Sequence, residues 1–373
     1  MIGAWLALAG WLSTPVLLQE SGGDSSAVVA DASSQPFSRP VLEPYADLRS
    51  WIERVENRPG ASEDLKRSRA TLRAGLRWRP ASSPAEIAAG FRASLGSDRN
   101  AEARAAFDNE TPDTIEVDEL MARVRSMPGD AVAIGKMRSS LALTEMIWDA
   151  DLRPVGATAA LALERLGVPG ARLAGGWLQR ADWSDDAWMA AGQAMLTRDF
   201  AERSQGEMVA SYAEFHHLDE LPSQGFARQN TIVVTPEGRR YAVGFRVLDL
   251  QAAASARLGA VPIAVRVELA RNLAASEHRD GVRTRLALGG VETPGGWEVG
   301  WLYQRIERDA VCGAFNSDDW WFHSRSRGHL GWVMWGQGRP VGLRFTGTIE
   351  QRDDLTTEVH RLRAELLARL PSR

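Results

Sequence analysis

Apolar and polar side chains alternate along most of the chain, from about residue 67 to residue 370. In the run TLRAGLRWR, Leu72 and Trp78 share one face, while Arg73 and Arg77 share the other. This period of two is typical of a β-strand, because successive side chains point to opposite faces of a sheet. The pattern therefore predicts many strands, each with one apolar and one polar face.

Three further runs divide their side chains in the same way, over residues 261–270, 341–350 and 360–370. The last run, read alone, would also make an amphipathic helix, so its assignment as a strand depends on its neighbours. Runs of roughly ten residues are longer than the strands of a soluble sandwich and match the length that crosses a bilayer at a tilt. The pattern favours a barrel with an apolar outside and a wet inside over a soluble sandwich.

The connections between the runs alternate in length. Short connections lie at residues 127–130, 167–170, 258–260 and 337–339, and longer ones at 97–114, 138–154, 218–240 and 309–326. Bacterial membrane barrels alternate short periplasmic turns with longer extracellular loops. We therefore predict an all-β fold, a transmembrane antiparallel β-barrel with both termini on the periplasmic side.

The number of strands follows from parity. About fifteen strands fit between residues 66 and 370, but a barrel with both termini on one side needs an even number. One more strand should therefore precede residue 66. The candidate is YADLRSWIERVE at residues 45–56, although its propensity alone suggests a short helix. The prediction is about sixteen strands, with fourteen or eighteen as alternatives.

The first residues suggest export. The apolar segment at residues 4–18 has about the length of the apolar region of a signal peptide and is short for a membrane-spanning helix. Val28 and Ala30 supply small residues for cleavage after Ala30, although no Lys or Arg precedes the apolar segment. We predict a signal peptide over residues 1–30, a short periplasmic linker over 31–42 and the barrel over 43–370.

Composition adds three constraints. The net charge of -4 argues against a nucleic-acid partner, which would need a basic face. The 14 tryptophans fit aromatic belts at two membrane interfaces. The single cysteine, Cys312, excludes an internal disulfide.

Two segments carry distinctive motifs. GKMRSSLALTEMIWDADLRPVG at residues 135–156 contains the pattern W-D-x-D-L-x-P-x-G, and GWEVGWLYQRIERDAVCGAF at residues 296–315 contains the pattern Y-Q-x-I-E-R-D-A. Both patterns resemble those of a bacterial family of outer-membrane porins. The opening segment at residues 45–57 is similar as well, and the motifs follow the order of the family over most of the chain. The loop-motif residues that carry the resemblance are Trp148, Asp149, Asp151, Glu307, Arg308 and Asp309.

The resemblance implies a porin that lets small hydrophilic solutes or ions diffuse through a water-filled barrel. It also implies contact with outer-membrane lipid and, in this size class, a homotrimer. The alternative is a structural or adhesive outer-membrane barrel with a plugged lumen and partner-binding loops. Because the sequence has no nucleophile elbow, HExxH motif, phosphate loop or dinucleotide glycine motif, we expect neither an enzyme nor a cofactor.

Charged residues on the polar faces of the runs are the candidate pore lining. Rings of arginine in a pore attract and orient anions. The other interpretation is that these arginines only pair with nearby glutamates, and the sequence leaves both open. The candidates are Arg73, Arg77, Arg123, Arg125, Arg266, Glu268, Arg344, Glu350, Arg363 and Glu365.

Carboxylates and imidazoles cluster in two connections, at residues 216–220 and 307–329. Their spacing matches no metal-ligand motif, so we interpret both as solvated loops and expect no metal site. The Trp-Trp-Phe segment at residues 320–322 is expected either in the outer aromatic belt or in a loop folded into the pore.

Overall fold

The computed structural model describes residues 40–97, 113–127, 129–179, 187–201, 203–337 and 341–369. Its strands are β1 (Val41–Glu56), β2 (Leu65–Arg79), β3 (Ala85–Gly96), β4 (Thr114–Met127), β5 (Asp130–Lys136), β6 (Val155–Ala162), β7 (Ala171–Gln179), β8 (Trp188–Ala201), β9 (Ser204–His216), β10 (Ile232–Thr235), β11 (Gly238–Tyr241), β12 (Phe245–Leu258), β13 (Val261–Asn272), β14 (Asp280–Gly290), β15 (Pro294–Ile306), β16 (Ser326–Gln337), β17 (Val341–Arg352) and β18 (Glu358–Arg369). Helical structure in these ranges is limited to a 3₁₀ turn at Glu164–Leu166. No helix of the described ranges is long and apolar enough to cross a membrane.

Sixteen of the strands close into one antiparallel barrel. Barrel neighbours follow chain order, and only the separate hairpin β10–β11 intervenes between β9 and β12. The barrel closes where β1 pairs with β18, with Asp47 opposite Arg369 and Glu56 opposite His360. The predicted all-β barrel of about sixteen strands is confirmed.

The first strand contains the segment whose propensity alone suggests a helix. Residues 45–56 lie within β1, which pairs with β18 on one side and β2 on the other. Two ladders of hydrogen bonds outweigh a weak local preference, because strand formation depends strongly on context. β1 begins at Val41, just before the predicted barrel boundary, while the predicted signal peptide and residues 31–39 of the linker lie outside the described residues.

The connections give the barrel a loop end and a turn end. Connections at the loop end include residues 137–154, 217–244 and 307–325. At the turn end, β12 and β13 are joined by residues 259–260 alone, and Gly259 has a φ of 62°, which glycine adopts without strain. The predicted alternation of short and long connections is thus present.

Side chains on each barrel strand alternate between the outer face and the lumen. On β13, Val267 and Leu269 are exposed on the outer face, whereas Glu268 between them is buried inside. On β18, Leu362 and Leu366 are exposed in the same way, which decides its strand assignment. An apolar surface this extensive is typical of a protein face that contacts lipid.

Exposed tryptophans lie on the outer face at several depths. Trp78, Trp297 and Trp335 lie near the turn end, Trp301 lies near the middle of β15 and Trp177 lies near the loop end; each is at least 41% exposed. Outward tryptophans of this kind suit a lipid-facing surface. Other tryptophans lie buried inside the barrel, namely Trp51, Trp148, Trp320, Trp321 and Trp332.

Candidate functional site

Two loops fold into the lumen from the loop end. In the β5–β6 loop (residues 137–154) and the β15–β16 loop (residues 307–325), nearly every side chain is buried or half-buried. Trp148 of the first loop stacks on Phe315 of the second, with ring centroids 5.5 Å apart. The N–H of Asp149 donates to the carbonyl of Phe315 at 2.7 Å, and the N–H of Ser317 donates to the carbonyl of Glu145 at 2.9 Å. The loops therefore form one packed body inside the barrel.

Apolar residues explain why these loops turn inward. Met146 and Ile147 from one loop and Val311 and Phe315 from the other join an apolar cluster with wall residues such as Phe215 of β9. Each of these side chains is at most 5% exposed. Apolar area removed from water stabilises by roughly 25 cal/mol per Å², so loops of this composition are more stable folded inward than extended into solvent.

The interpretation of residues 307–329 as a solvated loop is wrong. Asp309 is 5% exposed and His323 is completely buried. Buried polar groups need partners, and both residues have them. The N–H and hydroxyl of Thr231 donate to the carboxylate of Asp309 at 2.8 and 2.5 Å, and the imidazole of His323 bonds the Asn316 amide oxygen at 2.7 Å. The Trp-Trp-Phe segment lies inside the lumen, which is the second of its two predicted locations.

A third loop braces the β15–β16 loop. In the β9–β12 loop (residues 217–244), the amide nitrogen of Asn230 donates to the carbonyls of Arg308 and Val311 at 2.6 and 2.9 Å. The N–H of Gly313 donates back to the amide oxygen of Asn230 at 2.9 Å. In the predicted cluster at residues 216–220 of the same connection, His217 is exposed, as the solvated-loop interpretation expects.

Asp151 anchors the β5–β6 loop to the wall of the barrel. Its carboxylate accepts hydrogen bonds from Arg49 of β1 at 3.0 Å and from Arg73 of β2 at 2.8 Å. Burial raises the pKa of Asp151, but the guanidiniums of Arg73 and Arg49 outweigh burial and hold the pKa well below its usual value. The loop is thus tied to two adjacent strands by an ionised carboxylate.

Other contacts hold the β5–β6 loop on the far wall. The hydroxyl of Thr144 donates to the carboxylate of Glu268 on β13. Glu145 forms an ion pair with Arg283 of β14 at 3.2 Å. The N–H of Ala142 donates to the side-chain oxygen of Gln193 on β8 at 3.0 Å. The loop therefore spans the lumen between opposite parts of the wall.

Glu350 of β17 anchors the β15–β16 loop. Its two carboxylate oxygens accept the backbone N–H groups of Trp321 and Phe322 at 2.6 and 2.9 Å. The carboxylate of Asp319 pairs with Arg363 of β18 at 2.7 Å. Burial raises the pKa of Asp319, but Arg363 and Arg49 outweigh it and lower the pKa below the usual value. This loop, too, is held by carboxylates.

The predicted pore-lining side chains lie on the inner faces of their strands, and most of them are paired. Arg123 and Arg125 share Glu86, with N···O distances of 3.5 and 3.8 Å. The guanidinium of Arg266 lies 3.1 Å from Glu207, rather than beside Glu268. The guanidinium of Arg344 lies 3.9 Å from the carboxylate of Glu365. The guanidinium carbon of Arg77 lies 4.6 Å from the ring centroid of Tyr45.

The six loop-motif residues lie in or beside the inward loops. Asp149 is buried in the β5–β6 loop next to Trp148, and the N–H of Asp151 donates to its carboxylate at 2.8 Å. Glu307 lies at the edge, where its carboxylate accepts the N–H of Asp280 at 3.0 Å. The backbone carbonyl of Arg308 is the part of that residue that meets Asn230. These residues shape the loops.

Sequence reasoning missed the ion cluster around Glu53. The carboxylate of this completely buried side chain on β1 forms ion pairs with three guanidiniums. The N···O distances are 2.7 Å to Arg67, 2.5 Å to Arg361 and 3.0 Å to Arg363. Arg363 was among the candidates, whereas Glu53 and Arg67 were not. The signal was present in the alternation, because Glu53 alternates with the outward Ile52 and Arg54 in β1.

On β2 and β4, exposure of the inner arginines rises from the loop end to the turn end. The side chain of Arg73 is 5% exposed, whereas those of Arg79, Arg123 and Arg125 are 17%, 24% and 36% exposed. Beside these strands the loops fill the loop half of the lumen and the turn half admits water, whereas on β17 Arg344 is only 4% exposed near the turn end. The lumen is also uneven around its circumference, because β6 and β7 present small residues such as Thr158 and Gly176 inward.

The described residues contain no group of three or more His, Cys, Asp or Glu side chains that could hold a metal ion. No family model matches the chain, and no curated protein matches it either.

Solved structures match the fold of the chain. OpdK of Pseudomonas aeruginosa, crystallised with vanillate, superposes with a TM-score of 0.51 at 11% identity, over 88% of this chain and 98% of that chain. OmpT, an outer membrane protein of Vibrio cholerae in a variant lacking one loop, gives 0.52 at 9% identity, over 89% and 99%. OccAB1 of Acinetobacter baumannii gives 0.52 at 8% identity, over 91% and 99%. The chain therefore has the fold of outer-membrane barrels over nearly its full described length.

Proposed function

We propose that the protein is an outer-membrane porin through which small hydrophilic solutes or ions diffuse passively, without an enzymatic step. The observation that carries the proposal is the closed barrel with an apolar outside and a charged lumen that two folded loops narrow from one end only. A barrel of sixteen strands is wide enough to hold an aqueous channel, and loops folded into such a channel sieve solutes by size.

The location follows from what each face requires. The apolar outer face with its exposed tryptophans needs a lipid phase around it, and a closed barrel leaves no unpaired strand edge there. The shared fold with OmpT, an outer membrane protein, supports the bacterial outer membrane. By the usual orientation of such barrels, the loop end is extracellular and the turn end periplasmic.

Selectivity in this proposal arises at the turn half of the lumen. At the loop half, Arg67 and Arg73 are buried and form ion pairs with carboxylates. Their charges therefore stabilise the fold and are not exposed to solutes. At the turn half, Arg123 and Arg125 are partly exposed and share one carboxylate, that of Glu86. We propose that the arginines of the loop half serve packing through ion pairs, whereas the exposed arginines of the turn half attract anions. The pore would then have a modest preference for anions.

Swelling of proteoliposomes tests the proposal. We expect liposomes that contain the folded protein to swell in isotonic sugars and amino acids, with a rate that falls as the solute grows. Liposomes with heat-unfolded protein provide the matched control. Folded protein that gives no swelling with the smallest solutes would favour the plugged, adhesive barrel instead. The homotrimer expected from the size class stays a prediction, which mass measurement in detergent can test.

A further inference from the structure

A groove crosses the outer face of the barrel at β16, β17 and β18. The groove is open to the outside and has a volume of about 960 Å³. Its floor consists of small residues, Gly331, Gly347 and Ala364, and its walls include Phe345 and Leu362, which are 59% and 62% exposed. A Cβ built on Gly347 would meet nothing closer than 3.5 Å, and one on Gly331 nothing closer than 3.9 Å. The groove is therefore open space on the lipid-facing surface.

The groove extends from the apolar outer face towards the loop end, where it reaches the cations Arg54 and Lys66. Gly331 pairs with Gly347, Gly347 with Leu362, Leu362 with Arg54, and Arg54 with Lys66. Along this row the residues approach the loop end of their strands: the glycines lie well inside β16 and β17, whereas Lys66 is the second residue of β2. Because barrel strands are tilted, a row across them is inclined to the membrane plane.

Among the described residues, outward-facing cations at the loop end lie on one side of the barrel. They are Arg246, Arg271, Arg305, Arg327, Arg54 and Lys66, on strands from β12 around to β2. On the opposite side, β3, β4 and β6 present Leu95, Ile115 and Val155 outward at the same end. Arg54 is 52% exposed and lies 2.7 Å from Asp64 and 3.0 Å from Glu56. Both ion pairs are exposed and therefore weak, so a phosphate can compete with these two carboxylates for the guanidinium.

The chemistry of the groove selects an acyl chain over a peptide. The backbone groups of its floor strands are already engaged in the ladders between β16, β17 and β18. A peptide lying there would bury its own backbone N–H and C=O groups without partners, which is costly. An acyl chain has no such groups and gains from covering the apolar walls.

We propose that this groove binds a phosphorylated lipid of the membrane leaflet at the loop end, with an acyl chain over Gly347 and Gly331 and the phosphate at Arg54 and Lys66. The other outward cations at the loop end, from β12 to β16, then contact further phosphorylated headgroups. This inference rests on the membrane location proposed above and does not depend on whether the pore conducts.

Native mass spectrometry of the detergent-extracted protein tests the site, with bisphosphorylated lipid A as the probe and phosphatidylcholine, whose phosphate is neutralised by its own choline group, as the comparison without net charge. We expect the wild type to retain lipid A in preference to phosphatidylcholine. The double variant Arg54→Gln, Lys66→Gln should lower lipid A retention about tenfold, as expected for the loss of two charge-assisted contacts, with little effect on phosphatidylcholine. Gly347→Val should lower retention of both lipids, because it fills the groove.

Two substitutions provide matched controls. Arg165 is 51% exposed and ion-paired at the turn end, and Gly192 on β8 faces outward with nothing within 4 Å of a Cβ built on it. Arg165→Gln and Gly192→Val should retain lipid A as the wild type does. Equal retention of lipid A by the wild type and the double variant would overturn the headgroup site, and unchanged retention by Gly347→Val would overturn the groove. Swelling assays on the same variants distinguish the two proposals. Absence of swelling would count against the porin, whereas the lipid-retention results alone decide the lipid site.

Discussion

Asp151 shows how one residue fixes the position of a loop inside the barrel. Its side chain is 10% exposed and lies between Arg49 and Arg73, whose side chains are 13% and 5% exposed. Neither the alternation of the strands nor the motif around Asp151 revealed these partners, because Arg49 and Arg73 lie far from it in the sequence. The sequence placed Asp151 in a loop, and only the fold brings that loop to β1 and β2.

Replacement of Asp151 should loosen the loop. In Asp151→Asn, Arg49 and Arg73 lose one ionised partner each but keep Glu365 and Asp118, and we expect the free energy of unfolding to fall by about 2 kcal/mol. Urea titration followed by tryptophan fluorescence measures this change. Asp280→Asn is the matched control, because the Arg271–Asp280 pair is half-exposed and should contribute less than about 1 kcal/mol. An equal loss in both variants would contradict the anchoring role.

The pH dependence of the anchor has a defined sign. The pKa of the Asp151 carboxyl is lowered from its usual value of 3.8. Its contribution to stability is therefore fully present above the unfolded value and is lost as the pH falls through the lowered folded value. We expect protection of the β5–β6 loop from protease to stay constant from pH 8 to pH 5, and to decline only in stronger acid. A decline already near pH 6 in the wild type would contradict this assignment.

At the scale of elements, strands and loops differ in how far the sequence predicts them. The side-chain period of β13 and β17 is local, so their faces can be assigned from the sequence, and β1 follows from parity. The prediction of a solvated β15–β16 loop was wrong because its many carboxylates are also typical of loops exposed to water. Its partners, Thr231 and Glu350, lie on other elements. The apolar residues at 310–315 were the signal that this loop is buried.

Glu350 offers a test of that loop. In Glu350→Ala, the N–H groups of Trp321 and Phe322 lose their acceptors, and a buried unsatisfied donor costs about 1–3 kcal/mol. We expect cleavage within residues 307–325 by protease at concentrations that leave the wild type intact. Glu358→Ala removes a glutamate that is 55% exposed on β18 and should not change the cleavage pattern. If both variants resist protease as the wild type does, Glu350 does not hold the loop.

At the scale of the whole molecule, the lumen beside β2 and β4 divides by depth into a filled half and an open half. The sequence predicted that charged side chains face inward, but not which are matched, because pairing depends on neighbours across strands and on the inward loops. Arg123 and Arg125 lie in the open half beside Glu86.

The exposed arginines should set the charge preference of the pore. We expect the double variant Arg123→Gln, Arg125→Gln to shift the reversal potential in a KCl gradient towards cations, because mobile ions still meet Glu86 but lose two exposed positive charges. Arg67→Gln, which alters a buried and matched arginine, should shift it less wherever the protein still folds. An unchanged reversal potential in the double variant would assign these arginines to packing alone.

The central claim is that a folded barrel with two inward loops still conducts. Planar bilayers with the purified protein test it most directly, alongside a gel that shows different migration for unheated and boiled samples. We predict discrete conductance steps from the sample that migrates as a folded barrel. A folded barrel that produces no steps at any voltage would contradict the account and identify the loops as a plug.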